Sequence, residues 1–351
     1  LPSAAPQTTS IAASLAAAGD WFLHSGIQSP DGGVSRYRLN AEGRNLPVSN
    51  EITGYTASAY AWLYEFTGEE RYREAARRTA RFLVDAAWDA KGEQFPFENS
   101  PGSPAYFFDC GIIVRGLLAV HRITGETRFL DIAAACGRSM IRDFLAGAAI
   151  HPIVDWPSRR PWPYEKRWSR EPGCFQLKSA MAWLNLHTAT GEPGFADAYE
   201  RAAEMALANF RSFLPGTEEH TGVMDRLHAF SYFLEGILPH PCRAKALAEA
   251  IAMASHWLRE LRGEFERSDV NAQLLRVRLY ADALGVCPLD EAAAEEEAAA
   301  VAGYQQENGS FCFGSRNGNR LPFDNPVSTA FCAQALAMWR TRKLPPLEAL
   351  I

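Results

Sequence analysis

The sequence predicts an all-α fold, an (α/α)6 toroid of six helical hairpins, and three observations carry that expectation. A two-helix unit recurs along the 351 residues. The first predicted helix has no partner before it and the last has none after it, so the two ends complement each other. Long connections also alternate with short turns, which places most of the loop residues at one end of a ring.

The elements follow in order. Residues 10–25 read as an outer, amphipathic helix. The segment from Gly54 is largely apolar, then turns at Thr67-Gly68-Glu69 into a helix with Arg and Glu on its polar face. The segment from Cys110 repeats this with Thr124-Gly125-Glu126, and the segment from Phe175 with Thr190-Gly191-Glu192. Two further units replace the turn with Pro239-His240-Pro241 and with Gly285-Val286-Cys287-Pro288. Turn residues of these kinds punctuate helices while preserving the hairpin. Inner helices are expected near 51–66, 107–123, 175–189, 225–238, 270–284 and 326–340. Outer helices are expected near 10–25, 70–88, 127–145, 192–211, 241–259 and 289–305. The inner set is apolar on more than one face, as a layer packed on both sides must be. Residues 1–351 read as a single domain, with residues 1–9 a flexible or trimmed segment. An open helical solenoid uses the same local physics and is the competing architecture.

Composition narrows the function. The apolar fraction of 47% and charged fraction of 22% are those of an ordinary globular protein. The net charge of −6 and the absence of a wide basic footprint argue against nucleic acid as a partner. No apolar run is long enough for a membrane span. The seven cysteines form no CxxC pair, and their odd number does not suggest a disulfide framework. A cytoplasmic location is the resulting expectation; a periplasmic or secreted one follows if a signal peptide was removed before residue 1. No metal ligand signature and no cofactor fingerprint occur, so neither metal nor cofactor is expected.

Polar residues concentrate where the inner helices begin, at the end that receives the long connections. Glu51 and Tyr55, then Asp109, then Gln176 and Lys178, then Asp225, Arg226 and His228, then Asp269 and Asn271 occupy these starts. Convergence around one opening makes Asp109, His228, Glu51, Asp225 and Asp269 the candidate catalytic groups. Tyr55, Lys178, Arg226 and Asn271 are candidate substrate contacts, joined by Trp162 and Trp168 from the aromatic loop 155–168. Flat rings beside hydrogen-bonding groups suit a sugar, whose faces are apolar and whose rim is polar. Each position also has a structural alternative. Asp225 and Asp269 could cap helices, Glu51 could favour a helix start, and His228 could be a hydrogen-bonded core residue. Asp109, between Phe108 and Cys110, requires a cap, a partner or a solvated cavity.

The chain resembles bacterial six-hairpin proteins of polysaccharide gene clusters. That resemblance runs through Asn50-Glu51-Ile52-Thr53-Gly54-Tyr55, Phe107-Phe108-Asp109-Cys110-Gly111 and the later repeats. Those proteins are related in appearance to unsaturated-uronyl hydrolases and sugar epimerases. The segment around Asp109 is similar to the one that carries a catalytic acid in unsaturated-uronyl hydrolases, which implies that role for Asp109. The second acid of that mechanism has no counterpart, because no Asp lies between 174 and 190. Residues 305–311 are similar to the glutamine-aromatic repeat of terpene cyclases, without the acid motif of those enzymes.

The leading expectation is a hydrolase acting on an acidic oligosaccharide or polysaccharide, including uronate-containing ones. A uronate lyase or epimerase, with His228 or Tyr55 as base, is the alternative. A carbohydrate-binding or assembly protein without turnover is the third reading.

Overall fold

The computed structural model describes residues 10–156, 158–240 and 243–351, with the side chain of Arg243 left aside. The N-terminal segment 1–9, Pro157 of the aromatic loop, and Pro241 and Cys242 lie outside the described residues.

Twelve α-helices are present among the described residues. The inner ones are α2 (Asn50–Thr67), α4 (Phe107–Thr124), α6 (Leu177–Thr190), α8 (His220–Ile237), α10 (Ser268–Ala283) and α12 (Pro326–Thr341). The outer ones are α1 (Ile11–His24), α3 (Glu70–Phe82), α5 (Thr127–Phe144), α7 (Pro193–Asn209), α9 (Arg243–Leu261) and α11 (Glu291–Gly303). Each inner helix packs on the next, and α12 packs on both α2 and α1. The ring is therefore closed, and the sixth hairpin joins the two ends of the chain. No helix among the described residues is long and apolar enough to cross a membrane.

The repeated turn explains the local geometry. In each of the first three hairpins the glycine adopts the left-handed conformation, with φ of 76° at Gly68, 74° at Gly125 and 75° at Gly191. Its N–H donates to the carbonyl four residues back, at Tyr64, His121 and His187, which stops the helix. The preceding threonine hydroxyl accepts from the glutamate N–H, at 3.2 Å for Thr67 and 3.3 Å for Thr124. The glutamates then reach the neighbouring unit: Arg77 of α3 pairs with Glu126 at 2.5 Å, and Arg138 of α5 pairs with Glu192 at 2.8 Å. Exposed pairs of this kind add little energy. They do register each hairpin on the one before it.

Close helix approach sets the diameter of the ring. A Cβ at Gly116 would fall 2.4 Å from the Gly54 carbonyl oxygen, and one at Gly54 would fall 2.8 Å from the Ile113 Cα. Only hydrogen at both positions lets α2 and α4 lie this near each other.

The long connections carry short strands that rim the mouth. Arg38–Leu39 pairs antiparallel with Phe323–Asp324 and with Arg44–Asn45, so the first and last loops are stitched together above the α12–α2 seam. At the opposite end residues 343–351 turn back into the ring. Leu350 and Ile351 are buried, and the Leu350 carbonyl accepts from Arg115 at 2.7 Å.

Two expected boundaries move. The helix α8 starts at His220, five residues earlier than expected, because the Glu219 side chain accepts from the Gly222 N–H at 2.9 Å and caps it. Asp225 is thus inside α8 rather than its cap. The helix α6 starts later than expected, after a tight turn at Cys174–Gln176.

Candidate active site

The mouth opens into a cavity of about 420 Å³ whose walls come from three inner helices and the turn before a fourth. Glu51 enters from α2, Phe108 and Asp109 from α4, Gln176 from the turn before α6, and His228 and Tyr232 from α8. Phe97 and Tyr106 close one side, and residues 167–170 cross the opening as a strap. The strap is anchored upstream, where Trp156 donates to Asp89 at 2.6 Å and lays its ring over Gly92.

The two carboxyls are the first chemical feature. Burial pushes Glu51 up to about 7, with the Arg36 charge opposing it. Burial and then the Glu51 charge push Asp109 well above the usual carboxylate range, again opposed by Arg36. Neighbouring acids in a low-dielectric wall cannot both ionise readily, so at least one holds a proton near neutral pH. One group is then an acid and the other a base.

His228 is the second feature. Burial, reinforced by the Arg267 charge, pushes its pKa down to about 4, so the ring is neutral. Its Nδ1 lies 2.9 Å from Gln273 Oε1 and 3.7 Å from Asp269 Oδ2. With the Gln273 amide in this orientation the proton sits on Nδ1, which makes Nε2 the basic nitrogen. Asp269 is itself held: burial works against its charge, yet the Arg267 guanidinium, at 2.7 and 2.9 Å, keeps it below the ordinary value. Arg267 also bridges to the half-exposed Asp225 at 2.9 Å.

The ring arrangement gives these groups their relation. In the order α2, α4, α6, α8, α10, α12, the helix α8 is three steps from α2 in either direction. His228 therefore faces Glu51 across the axis, with Asp109 on the adjoining wall. A substrate bound between them would have a neutral base on one side and a protonated carboxyl on the other.

The remaining expected residues fall in distinct places. Trp168 lines the cavity and packs edge-on against Phe175. Trp162 is outside the lining, with the Arg170 guanidinium 5.8 Å from its ring centroid. Tyr55 is buried one turn beyond Glu51, edge-on to Phe331 and beside Tyr232. Arg226 stacks over Phe213 at 4.3 Å and donates to the Phe213 carbonyl at 2.9 Å, away from the cavity. Asp225 and Asp269 do not line it either; Asp269 stands behind His228.

Lys178 and Asn271 are corrected outright as groups at the opening. Lys178 is wholly buried, paired with Glu235 at 2.9 Å and donating to the Ile351 carbonyl at 3.0 Å. It stands thirteen residues before the turn glycine Gly191, as Tyr55 does before Gly68, and so occupies the interior of the ring beneath the cavity. Asn271 is also fully buried, donating to Glu266 at 3.0 Å and accepting from Arg262 at 3.0 Å. It faces back toward the outer layer.

Residues not singled out as site groups complete the lining: Tyr106, Phe108, Tyr232 and the strap arginines Arg167 and Arg170. Arg36, which stacks over Phe97 at 4.9 Å, acts on both carboxyls. The clustered arginines of 159–170 were the available signal for the strap; no pattern marks Arg36. Among the described residues no group of three His, Cys, Asp or Glu side chains is placed to hold a metal ion.

No protein-family model matches the sequence, and no curated protein does. Solved structures do match the fold. The cellobiose 2-epimerase of Spirochaeta thermophila superposes with a TM-score of 0.71 over 96% of this chain and 100% of its own, at 14% identity. A D-mannose isomerase gives 0.70 over 97% and 100%, at 10% identity. A family 76 glycoside hydrolase from a Bacteroides thetaiotaomicron strain gives 0.63 over 94% and 78%, at 12% identity. The chain thus has the toroidal six-hairpin fold found in structures of sugar epimerases, isomerases and glycoside hydrolases. At these identities the likeness is one of fold.

Proposed function

We propose that this protein is a sugar epimerase or isomerase that moves a proton at the carbon next to a carbonyl group. The observation that carries the reading is the cavity that brings His228 of α8 together with Glu51 of α2 and Asp109 of α4. His228 Nε2 takes the proton as the C–H bond breaks, and its electron pair becomes the double bond of an enediolate. Arg36, Arg167 and Arg170 supply positive charge near the developing oxyanion. The protonated carboxyl then returns a proton to the carbon from the opposite face, which inverts its configuration. The same arginines favour a sugar that carries a carboxylate. The epimerase and isomerase structures that share the fold are consistent with this chemistry.

Hydrolysis is the second reading, and the paired carboxyls favour it, since one acid and one base are also what glycoside cleavage needs. Incubation with neutral and uronate oligosaccharides in heavy water separates the two. Epimerisation predicts one deuterium on carbon with the chain length unchanged, and His228→Asn should slow it by about 100-fold or more. Shortened chains with no deuterium on carbon, formed equally by His228→Asn and abolished by Asp109→Asn, would transfer the assignment to hydrolysis.

A further inference from the structure

A second polar groove lies on the mouth face, at the seam where the first and last loops meet. Two cavities, of about 550 and 430 Å³, share Arg38 and Asn308 in their walls. The floor between them is organised by Asp324, a wholly buried carboxylate. Asp324 accepts from Asn40 Nδ2 at 2.9 Å, from Asn308 Nδ2 at 3.1 Å, and from Gln306 Nε2.

This fan has a chemical consequence. A carboxylate accepts only, so each amide must turn its NH2 inward and its oxygen away. The Asn308 oxygen is used by Ser310. Asn40 Oδ1 and Gln306 Oε1 accept no hydrogen bond from the described residues and belong to side chains that line the groove. They are fixed acceptors waiting for hydroxyl donors. Beside them stand Arg38 and Arg320, neither ion-paired among the described residues. Arg38 donates to Asn45 at 3.0 Å and Arg320 to the Gly303 carbonyl, which leaves further guanidinium N–H groups on each. Of the nearby acids, Asp20 is occupied by Arg71 at 2.5 Å, and Glu307 stands on the wall.

Fixed acceptors next to unpaired guanidinium forks suit a ligand that has both hydroxyls and a carboxylate. A free phosphate would leave the amide oxygens unmatched, and a neutral sugar would leave the arginines so. We propose that this groove is an auxiliary binding site for a uronate-bearing stretch of polysaccharide. The chain path links it to the cavity: Arg36 stands two residues before Arg38, at the bend that leads into the Arg38–Leu39 strand. Arg36 lies over Phe97 of the cavity wall.

The test reads binding, so it does not depend on the reaction proposed above. Affinity electrophoresis through polygalacturonate, with dextran as the neutral control, compares the wild type, Arg38→Ala/Arg320→Ala, Arg38→Lys/Arg320→Lys, and Arg211→Ala, which removes an exposed guanidinium outside the groove. The expected result is retardation in polygalacturonate alone, weakened at least about tenfold in the Ala/Ala variant, as loss of charge-assisted hydrogen bonds requires. The Lys/Lys variant should fall between, and Arg211→Ala should bind as the wild type does. Circular dichroism melts confirm that each variant is folded. The proposal is overturned if the folded Ala/Ala variant binds like the wild type, if Arg211→Ala weakens binding as much as the Ala/Ala variant, or if polygalacturonate does not retard the wild type. Retained groove binding without turnover of any sugar would sink the epimerase reading and leave the groove standing.

Discussion

His228 and Glu51 are displaced from their ordinary ionisation in opposite directions, and the interval between them defines when the site can work. Below about 4 the imidazole is protonated and cannot accept a proton; above about 7 Glu51 loses the proton it would donate. The expected kcat/KM profile is a bell with limbs near these two values. Arg36 favours the ionised carboxyls, so Arg36→Gln should move the alkaline limb upward. A limb that moved down, measured over pH 3 to 9, would remove Arg36 from the account. At this scale the sequence revealed the polar residues that reach the cavity: Glu51 and Asp109 in the first turns of α2 and α4, and His228 two turns into α8. It did not reveal depth or facing. Lys178 was grouped with the helix starts, yet counted back from the turn glycine it holds the register of Tyr55, a turn deeper than Glu51, and is buried. Arg36 and Tyr106 depend on the path of long loops, which no periodicity records.

Helices and turns were the most legible elements, because each has a local physical cause. The turns at Gly68, Gly125 and Gly191 announce themselves through residues whose backbone and side-chain bonds end one helix and begin the next. The start of α8 was misjudged because Glu219 is not among the usual capping residues, although its carboxylate performs that task. The α2–α4 contact makes a sharper claim. Because a Cβ at Gly116 would meet backbone rather than a flexible side chain, Gly116→Ala must push the two helices apart. A loss of about 1–3 kcal/mol is expected in urea melts. Gly263→Ala, where a Cβ meets nothing within 4 Å, should be close to neutral. Equal stability of the two variants would show that the helices are not held at this separation.

The whole molecule depends on what fills its axis. Lys178, Glu235 and Arg276 form a wholly buried charged cluster, with Arg276 stacked 4.2 Å from the centre of Phe331. Burial takes Lys178 down to about 7 against the pull of Glu235. Residues 347–351 cover this cluster from the side opposite the cavity, and Gln334 fixes them by donating to the Ala349 carbonyl at 2.9 Å. Removing these five residues exposes the cluster and forfeits the burial of Leu350 and Ile351, each worth about 1.5–3 kcal/mol. The truncated chain should unfold at clearly lower urea concentration, and an unchanged midpoint would deny the segment its structural part.

Closure of the ring by α12 against α1 and α2 also has a consequence for synthesis. The chain leaves the ribosome from its N-terminus, so the flanks of α1 and α2 that α12 covers stay wet until almost every other helix has been made. Five hairpin contacts form between near neighbours, while the sixth joins segments some 300 residues apart, a closure with a larger entropic cost than the others although that cost grows slowly with length. Of these twelve helices the last to emerge is the one that seals the seam, and until then the nascent protein has two adhesive edges, the state most exposed to misassembly with another copy of itself.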